Sequence, residues 1–397
     1  MASLFKDKLC AVVAAPTARE MQSQLRLALK LTRTVELRLD HLRGGAQIED
    51  MLHWLRGRKV PADLIATARR VSAGGRLRGE LSLQMAVLAM FATYHGGWCD
   101  TEIETCEAQP GEVLRLFLRR TRCIISFHDF QKVPSNLRRI VIRLGAYCRK
   151  DEAIKVAAQC NSYRDALRVL ALCKGQQEVI AVPMGEIGLP ARVLALAHGS
   201  ALAYAAVGEK TAPGQLTLAE MKNLYRADKL DRKTKVYGVI GNPVSHSLSP
   251  LLHNTGFIAR KLKAVYLPFL VNDLRDFLGA IKPLNIAGFS VTLPWKERIL
   301  HHLDDCDPLA MKIGAVNTVV VCRNGKLYGC NTDYVGVLRA LERRVRLPGS
   351  RVLLYGAGGV ARAVAFALAQ GGAIVCICSR RPQQARQLAR AVGGEVV

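Results

Sequence analysis

Residues 236–250 read VYGVIGNPVSHSLSP, and this stretch decides how the chain is divided. The β-branched run at 236–240 predicts a short buried strand that ends at the turn signal GNP, residues 241–243. Two hydroxyls, Ser247 and Ser249, follow before the next proline opens a helix. Small ligands bind at the carboxyl ends of strands in open α/β sheets, so this loop is a candidate binding site.

The segment before this strand marks a boundary. Residues 231–235, DRKTK, contain no apolar side chain, which is typical of a linker. A chain of 397 residues accommodates two or three domains. We predict an N-terminal domain over residues 1–228, a linker over 229–235, a substrate domain over 236–345 and a nucleotide-binding domain over 346–397. The last domain stops as a third strand begins at residues 395–397, and we expect it to be incomplete.

Composition narrows the classes of function. Half of the residues, 50%, are apolar, so the chain can bury sizeable cores and disorder is excluded. No apolar run reaches the roughly 18 residues that a membrane helix needs, and the N-terminus lacks the apolar region of a signal peptide. We therefore expect a cytoplasmic protein with no membrane partner. The 12 cysteines include no Cys-x-x-Cys pair, which favours reduced thiols and predicts no metal site.

The net charge is unusual, because 57 basic side chains against 32 acidic ones give +25. Such a surplus attracts anions, including nucleic acid. The basic residues are spread along the chain, however, and no nucleic-acid-binding motif accompanies them. The charge therefore favours an anionic small substrate and a phosphorylated cofactor. A basic nucleic-acid-binding protein built on an enzyme scaffold is the alternative.

The first domain alternates apolar, β-branched runs with amphipathic helical stretches. Eight strands are predicted, at residues 9–14, 35–39, 63–67, 100–104, 123–127, 153–157, 178–182 and 201–206. Eight β–α units of this size fit a small TIM (β/α)8 barrel. In that fold the chemistry lies at the carboxyl ends of the strands.

Polar and charged residues occur where a barrel would need them. The candidate site residues on these strands, or just after them, are Glu36, Arg38, Arg69, His128, Lys155, Arg192, Thr211 and Gln215. Charged residues inside an apolar strand are costly unless they are paired or line a site. The arginines can bind a substrate carboxylate by bidentate hydrogen bonds, or they can form ordinary surface ion pairs.

Lys155 is the strongest candidate for a catalytic residue, because Ile154 and Val156 flank it inside a predicted strand. A desolvated lysine held among cations in the barrel mouth loses its proton readily, and the neutral amine can form an imine with a ketone. His128 could then move protons beside that imine. The alternatives are a lysine that extends outward to solvent or pairs with Glu36, and a histidine that only packs or caps.

Scattered motifs of this domain resemble type I 3-dehydroquinate dehydratase, in that family's order: VELRLD at 35–40, ATARR at 66–70, SFHDF at 126–130, IKVA at 154–157 and APGQ at 212–215. The resemblance implies that Lys155 forms a Schiff base with 3-dehydroquinate and that His128 is the general acid/base. It also implies substrate contacts from Glu36, Arg38, Arg69, Arg192, Thr211 and Gln215. Two positions depart from the family pattern: Thr211 stands where serine is usual, and no acidic residue precedes Gly74-Gly75.

Three segments accompany the Ser247/Ser249 loop in the second domain. SVTLPWKE at 290–297 contains Thr292 and Lys296, GAVNT at 314–318 contains Asn317, and NTD at 331–333 places Asp333 before a helix. Lys296 is expected at a helix start, where a cation is unfavourable to the helix dipole, so it is either used chemically or is a solvated surface lysine. Asp333 is either a helix N-cap or a proton-transfer partner of Lys296 in a ketone/alcohol interconversion.

The segment RVLLYGAGGVAR, residues 351–362, predicts a strand, a turn and a helix that together bind a dinucleotide pyrophosphate. The cofactor residues of this turn are Gly356, Ala357, Gly358, Gly359, Val360 and Ala361. A second strand at 373–378 ends in Ser379-Arg380-Arg381. NAD sites usually have an acidic residue there, whereas arginine suits a 2′-phosphate. The sequence therefore predicts NADP(H) as the cofactor.

Jointly, the motifs of the second half resemble shikimate dehydrogenase. The resemblance implies a catalytic Lys296–Asp333 pair, and it implies substrate contacts from Ser247, Ser249, Thr292 and Asn317. The sequence thus predicts a bifunctional shikimate-pathway enzyme that dehydrates 3-dehydroquinate and then reduces 3-dehydroshikimate to shikimate with NADPH. The alternatives are a dehydratase whose incomplete dehydrogenase module is inactive, and a dehydrogenase that uses quinate.

Overall fold

The computed structural model describes residues 3–109, 111–112, 116, 121–175, 177–208, 214–342 and 344–397. These residues form two compact units. The first contains the chain up to Thr234 together with Ile258–Lys263, and the second contains Lys235–Phe257 and Ala264–Val397. The further division near residue 345 stays a prediction. In the described part of the chain, no helix is both long enough and apolar enough to cross a bilayer.

The described residues of the first unit form a barrel of parallel strands. The strands are β1 (Leu9–Val13), β2 (Thr34–Arg38), β3 (Asp63–Thr67), β4 (Trp98–Glu102), β5 (Arg122–Asp129), β6 (Ala153–Gln159), β7 (Val179–Met184) and β8 (Ala203–Val207). Hydrogen-bonded neighbours follow chain order from β1 to β7, and β8 pairs with β1. Between β7 and β8 the ring is joined by Ala201 N, which donates to Val179 O at 2.9 Å. The predicted barrel is therefore confirmed, although it is only nearly closed.

Helices of the first unit follow the strands along the chain. Those described are α1 (Ala18–Leu29), α2 (Gly45–Leu55), α3 (Leu81–Tyr94), α4 (Ile103–Ala108), α5 (Leu137–Tyr147), α6 (Tyr163–Ala171) and α7 (Leu189–Leu194). Helix α1 illustrates how the sequence determines a helix. Thr17 caps its N-terminus by accepting a hydrogen bond from Glu20 N. Its buried side chains, at helical spacing, are Met21, Leu25 and Ala28.

The fourth strand starts two residues earlier than the sequence predicts. It spans Trp98–Glu102 rather than 100–104, and α4 begins at Ile103. Trp98 explains the shift, because its ring is 1% exposed and packs on Phe5 with 4.5 Å between ring centroids. Burial of this large aromatic side chain anchors the start of the strand.

The second unit contains two sheets. The first has the strand order β10-β9-β11-β13-β14-β12, and the second is the parallel sheet β15-β16-β17. The strands are β9 (Lys235–Gly241), β10 (Ala264–Leu270), β11 (Ile286–Val291), β12 (Asp305–Cys306), β13 (Thr318–Val321), β14 (Leu327–Cys330), β15 (Arg351–Tyr355), β16 (Ile374–Cys378) and β17 (Glu395–Val396). The helices described are α8 (Ser249–Ala259), α9 (Leu274–Ala280), α10 (Pro308–Ile313), α11 (Thr332–Glu342), α12 (Gly359–Gln370) and α13 (Pro382–Val392).

Lys296 does not begin a helix, which corrects the prediction made for it. The lysine lies in a turn, and the helical segment that follows is the short 3-10 helix Arg298–His302. Trp295 holds this turn in place, because its ring is 8% exposed and its Nε1 donates to Val271 O at 3.1 Å. The argument from an unfavourable helix dipole therefore does not apply to Lys296.

Three aromatic side chains form the core beneath the first sheet of the second unit. Phe277 of α9 meets Phe269 of β10 at 5.3 Å and Phe289 of β11 at 5.1 Å, both edge-on. All three are buried. Edge-to-face aromatic pairs stabilise a core beyond the area that they bury.

The substitution Phe277→Ala should therefore lower the free energy of unfolding by about 3–5 kcal/mol, because it leaves a cavity between two strands. Leu252→Ala on α8 is the control, since Leu252 is 71% exposed. Urea titration of the purified variants measures both changes. A loss of less than about 1 kcal/mol for Phe277→Ala would contradict the packing described.

Candidate active sites

A cavity of about 240 Å³ opens at the carboxyl ends of the barrel strands. It is lined by side chains from most of the ring, and those predicted from the sequence are Glu36, Arg38, Arg69, His128, Lys155, Arg192 and Gln215. Thr211 lies outside the described residues. The barrel thus brings together seven of the eight residues predicted for this site.

Lys155 lies at the centre of this group and its side chain is 4% exposed. Its Nζ donates to Asp100 Oδ2, lies 3.7 Å from Glu36 Oε1 and sits 4.7 Å from the ring centroid of Tyr204. The surroundings therefore differ from the cation-rich setting that the sequence suggested, because the nearest charged groups are two carboxylates. A buried lysine needs such anionic partners to remain charged.

Asp100 connects the lysine to the rest of the barrel. Its Oδ1 accepts from Arg69 Nη2 at 2.8 Å and from Ser126 Oγ at 2.7 Å. Burial by itself would raise the pKa of Asp100, but the charges of Lys155 and Arg69 outweigh burial and hold this pKa below its usual range. Asp100 is therefore ionised at neutral pH.

Arg69 is held by a second acid as well. Its Nε donates to Glu102 Oε1 at 3.2 Å, and Gln84 Nε2 donates to the other oxygen of Glu102. Glu36 in turn accepts from Thr67 Oγ1 at 2.7 Å. These buried charges are paired and hydrogen-bonded, so they hold the floor of the cavity in one arrangement.

His128 lies near the carboxyl end of β5, and its ring stacks on Phe130 with 6.0 Å between ring centroids. Its Nδ1 is buried and has no hydrogen-bond partner among the described residues. Burial, followed by the charges of Arg69 and Lys155, lowers the pKa of His128 well below 6.5. The imidazole is therefore neutral at pH 7 and can accept a proton.

The two remaining arginines predicted for the cavity, Arg38 and Arg192, differ in their partners. Arg38 forms a bidentate pair with Asp40, at 2.9 and 2.8 Å. Arg192 is 5% exposed, and among the described residues it donates to two carbonyls, those of Pro183 and Gly214, at 3.3 and 3.1 Å. No carboxylate among the described residues lies within 4 Å of Arg192, and burial lowers its pKa to about 10. A buried cation of this kind can bind an anionic group of a ligand.

The second unit contains a cavity of about 410 Å³. The predicted residues that line it are Ser247, Ser249, Thr292, Lys296, Asn317 and Asp333. They come from the β9–α8 loop and the start of α8, the segment after β11, the residue before β13 and the start of α11. The structure thus collects all six predicted side chains around one space.

Lys296 and Asp333 form an ion pair in this cavity, with Nζ 2.5 Å from Oδ2. The other carboxylate oxygen of Asp333 accepts from Asn317 Nδ2 at 2.7 Å, and its backbone N–H donates to Asn331 Oδ1 at 3.1 Å. Their side chains remain 14% and 26% exposed. The pair is therefore fixed in place and is also reachable by a ligand.

The glycine-rich turn joins β15 to α12, as predicted. Gly356 has a φ of 109°, a conformation that favours glycine, and Gly358 caps the helix. Strand β16 pairs in parallel with β15, with Tyr355 opposite Cys378. The Ser379–Arg381 segment therefore emerges beside the turn, on the same edge of the sheet.

Sequence reasoning missed two acids that pair with the cavity's cations, Asp100 and Glu102, and one aromatic residue that lines the cavity, Tyr204. Asp100 and Glu102 alternate in an apolar strand, and the rule that singled out Glu36 and Arg38 would have found Asp100 as well. Tyr204 also lines the cavity, and its hydroxyl is buried with no partner among the described residues. An aromatic residue in a barrel strand carries no sequence signal that distinguishes it from ordinary core.

The fold and the buried lysine define the class of protein, and sequence comparison agrees. The family described as Type I 3-dehydroquinase matches residues 9–232, and the shikimate dehydrogenase substrate binding domain matches residues 239–319. The chain therefore belongs to the type I 3-dehydroquinase family and continues into a shikimate-dehydrogenase-type module. The resemblance drawn from the motifs is confirmed.

Two curated relatives match nearly the whole of this chain, and a third matches part of it. A bifunctional 3-dehydroquinate dehydratase/shikimate dehydrogenase of Arabidopsis thaliana, described as chloroplastic, is 33% identical over 98% of this chain and 67% of its own length. The shikimate biosynthesis protein AroDE of Chlamydia pneumoniae is 31% identical over 98% of this chain and 79% of its own length. A shikimate dehydrogenase (NADP(+)) of Thermococcus kodakarensis is 45% identical over 40% of this chain. The match spans 59% of that enzyme's length.

The substitution Asp100→Asn tests the charge network at the cavity floor. It leaves Lys155 and Arg69 without a shared anion, so we expect it to lower the free energy of unfolding by about 3–5 kcal/mol at pH 7. The folded-state pKa of Asp100 lies below its unfolded value, so its stabilisation is present above about pH 4 and is lost as the pH falls toward the folded pKa.

Urea unfolding at pH 7 and pH 3 should therefore show a smaller difference between the native chain and Asp100→Asn at the lower pH. Asp228→Asn, at an exposed carboxylate, is the control and should change little at either pH. An equal difference at both pH values would show that the charge of Asp100 is not what stabilises the barrel.

Proposed function

We propose that this chain is a bifunctional shikimate-pathway enzyme. Its barrel dehydrates 3-dehydroquinate, and its second unit reduces the product, 3-dehydroshikimate, to shikimate with NADPH. The observation that carries the proposal is the buried Lys155 on the wall of a cavity that it shares with a neutral His128. A lysine so placed suits imine formation with a ketone.

The first reaction begins with loss of one proton from Lys155, and the carboxylate of Asp100 is the nearest acceptor. The amine nitrogen then attacks the ketone carbon to form a carbinolamine. Asp100 returns its proton to the carbinolamine hydroxyl, which leaves as water, and an iminium ion is formed. The iminium draws electrons from the adjacent carbon and so acidifies its C–H bond.

His128 takes that proton and delivers it to the departing hydroxyl group, which leaves as water. Hydrolysis of the iminium releases 3-dehydroshikimate and restores the amine. The water consumed in hydrolysis balances the water released when the imine formed, so the net reaction is the loss of one water molecule from the substrate.

Arg192 is the residue that we assign to the substrate carboxylate. It is buried and faces no carboxylate of the described chain within 4 Å, so an incoming anion would give it the partner that it lacks. Glu36, Arg38, Arg69 and Gln215 line the same cavity and are assigned to the substrate hydroxyls and to the positioning of Lys155.

In the second unit, Lys296 and Asp333 are assigned to proton transfer at the substrate oxygen. Lys296 can donate a proton to the developing alkoxide and then recover one through Asp333. The hydroxyls of Ser247, Ser249 and Thr292, with the amide of Asn317, line the rest of this cavity and suit a polyhydroxylated ligand.

The glycine-rich turn fits a dinucleotide. A Cβ added at Gly358 would meet no heavy atom within 4 Å, so the backbone there is open to close approach by a pyrophosphate at the N-terminus of α12. Residues 356–361 would hold the pyrophosphate, and NADPH supplies the hydride when it is bound. Arg380, which is exposed after β16, is assigned with Ser379 and Arg381 to the 2′-phosphate.

The two activities should separate cleanly by mutation. Lys155→Met removes the nucleophile, so we expect dehydration to fall by about a thousandfold or more while NADPH-dependent reduction is unchanged. Lys296→Met should do the reverse, with a loss of reduction of about 100-fold to 10,000-fold. Each variant is the control for the other in assays of enone formation and of NADPH oxidation. A comparable loss of both activities in either variant would contradict two independent sites.

Arg380→Ala tests the cofactor assignment. Loss of a charged hydrogen bond to the 2′-phosphate costs about 1.5–3 kcal/mol, so KM for NADPH should rise roughly 10-fold to 100-fold. KM for NADH should change less than about twofold, because NADH lacks the phosphate. Arg390→Ala, at an exposed arginine near the end of α13, is the control. Equal effects on both cofactors would refute the assignment.

A further inference from the structure

The three glycines of the cofactor turn differ in what surrounds them. Gly356 needs its positive φ of 109°, and Gly358 faces open space. Gly359 has neither property: it begins α12 with helical backbone, yet a Cβ placed on it would lie 3.0 Å from Lys296 Cβ and 3.3 Å from Lys296 Cδ. The stem of the lysine therefore packs directly on the first turn of the cofactor helix.

Lys296 cannot move its backbone away from this contact. Its carbonyl accepts from Val316 N at 2.8 Å, and the preceding Trp295 is buried and anchored through Nε1 to Val271 O. A side chain at Gly359 would therefore crowd Lys296 Cβ, which stays with the backbone, and would turn the outer carbons of the lysine stem away by rotation rather than shift the turn.

The helix cannot retreat either. Arg362, one turn along α12, donates through Nε to Ile313 O at 2.5 Å. Gly314, which follows Ile313, has a φ of 71°, and a Cβ on it would lie 2.7 Å from Arg362 Nη2. This glycine lets the guanidinium lie against the segment that leads to Ala315 and Asn317.

The partner of Lys296 is also fixed. Asp333 is held by Asn317 Nδ2 and by Asn331 Oδ1, so it cannot follow a displaced ammonium group. The contact at Gly359 therefore determines whether Lys296 Nζ reaches Asp333 Oδ2.

We propose that Gly359 is a positioning residue for Lys296: its missing side chain lets the lysine stem rest on the N-terminal turn of the cofactor helix, with Nζ on Asp333. This inference deepens the proposed reductase function and rests on it. It assigns the glycine-rich turn a second task besides binding pyrophosphate. The task is to hold the proton-transferring lysine of the neighbouring cavity.

The test compares Gly359→Ala with Gly358→Ala in the full chain. Lys296 is acetylated with acetic anhydride, without substrate or cofactor, and its rate is measured by mass spectrometry relative to the exposed Lys326 of the same molecule. We expect Gly359→Ala to raise the relative rate about threefold or more, because the amine leaves its ion pair, and Gly358→Ala to leave it unchanged.

The same variants are assayed for reduction of 3-dehydroshikimate. Misplacement of a reacting group by about 1 Å can cost up to 100-fold, so kcat of Gly359→Ala should fall about 10-fold to 100-fold. Gly358→Ala should act mainly through KM for NADPH. Dehydration by the barrel of the same chain reports that each preparation is folded.

Equal acetylation of Lys296 in Gly359→Ala and the native chain would overturn the inference. Because the labelling needs no turnover, a native chain without reductase activity would refute the proposed function and would leave the labelling result standing. If Gly359→Ala unfolds the second unit, the double variant Gly359→Ala/Lys296→Gly decides the matter by thermal unfolding. If the contact is real, adding Gly359→Ala to Lys296→Gly should lower the melting temperature little. A loss as large as in the native chain would contradict the contact.

Discussion

A positive charge inside a ring of parallel strands must be matched by negative charge, and Asp100 provides that match in this protein. One carboxylate binds the ammonium of Lys155 through one oxygen and the guanidinium of Arg69 through the other. An isolated buried lysine would be too costly, whereas a paired one can be kept beside a cavity and still be close to a proton acceptor. The rest of the barrel site, including the neutral His128 and the arginines around it, depends on this arrangement.

The second unit contains a similar pair of charged side chains that is less deeply buried. Lys296 and Asp333 also form a lysine–aspartate pair beside a cavity, but their side chains are 14% and 26% exposed, against 4% and 0% for Lys155 and Asp100. The difference suits the two chemistries. A covalent imine benefits from a site that excludes water, whereas proton transfer to an alkoxide needs a pair that a ligand and a cofactor can approach together. In both units the reactive residues lie on strands or in the segments that follow them, so the sheets position them before any ligand arrives.

Most of the fold was predictable, because eight β-branched runs at regular spacing leave few alternatives to a barrel, and strand boundaries agreed within one or two residues. The side chains predicted at the two cavities also come together, apart from Thr211, which lies outside the described residues. The sequence could not predict which side chains on different strands would pair with each other. Asp100 is 55 residues from Lys155, and only barrel closure makes them neighbours. The turn at Lys296 was mistaken for a helix start because the burial of Trp295 is a tertiary effect that local patterns do not contain.

The central claim is that the buried amine of Lys155 condenses with the ketone of its substrate. Borohydride reduction in the presence of 3-dehydroquinate, followed by peptide mass spectrometry, tests it most directly. The account predicts a stable secondary amine on Lys155, with its appearance dependent on substrate and with no adduct on Lys296. Absence of an adduct at Lys155, or its formation on a different lysine, would contradict the assignment of the barrel site.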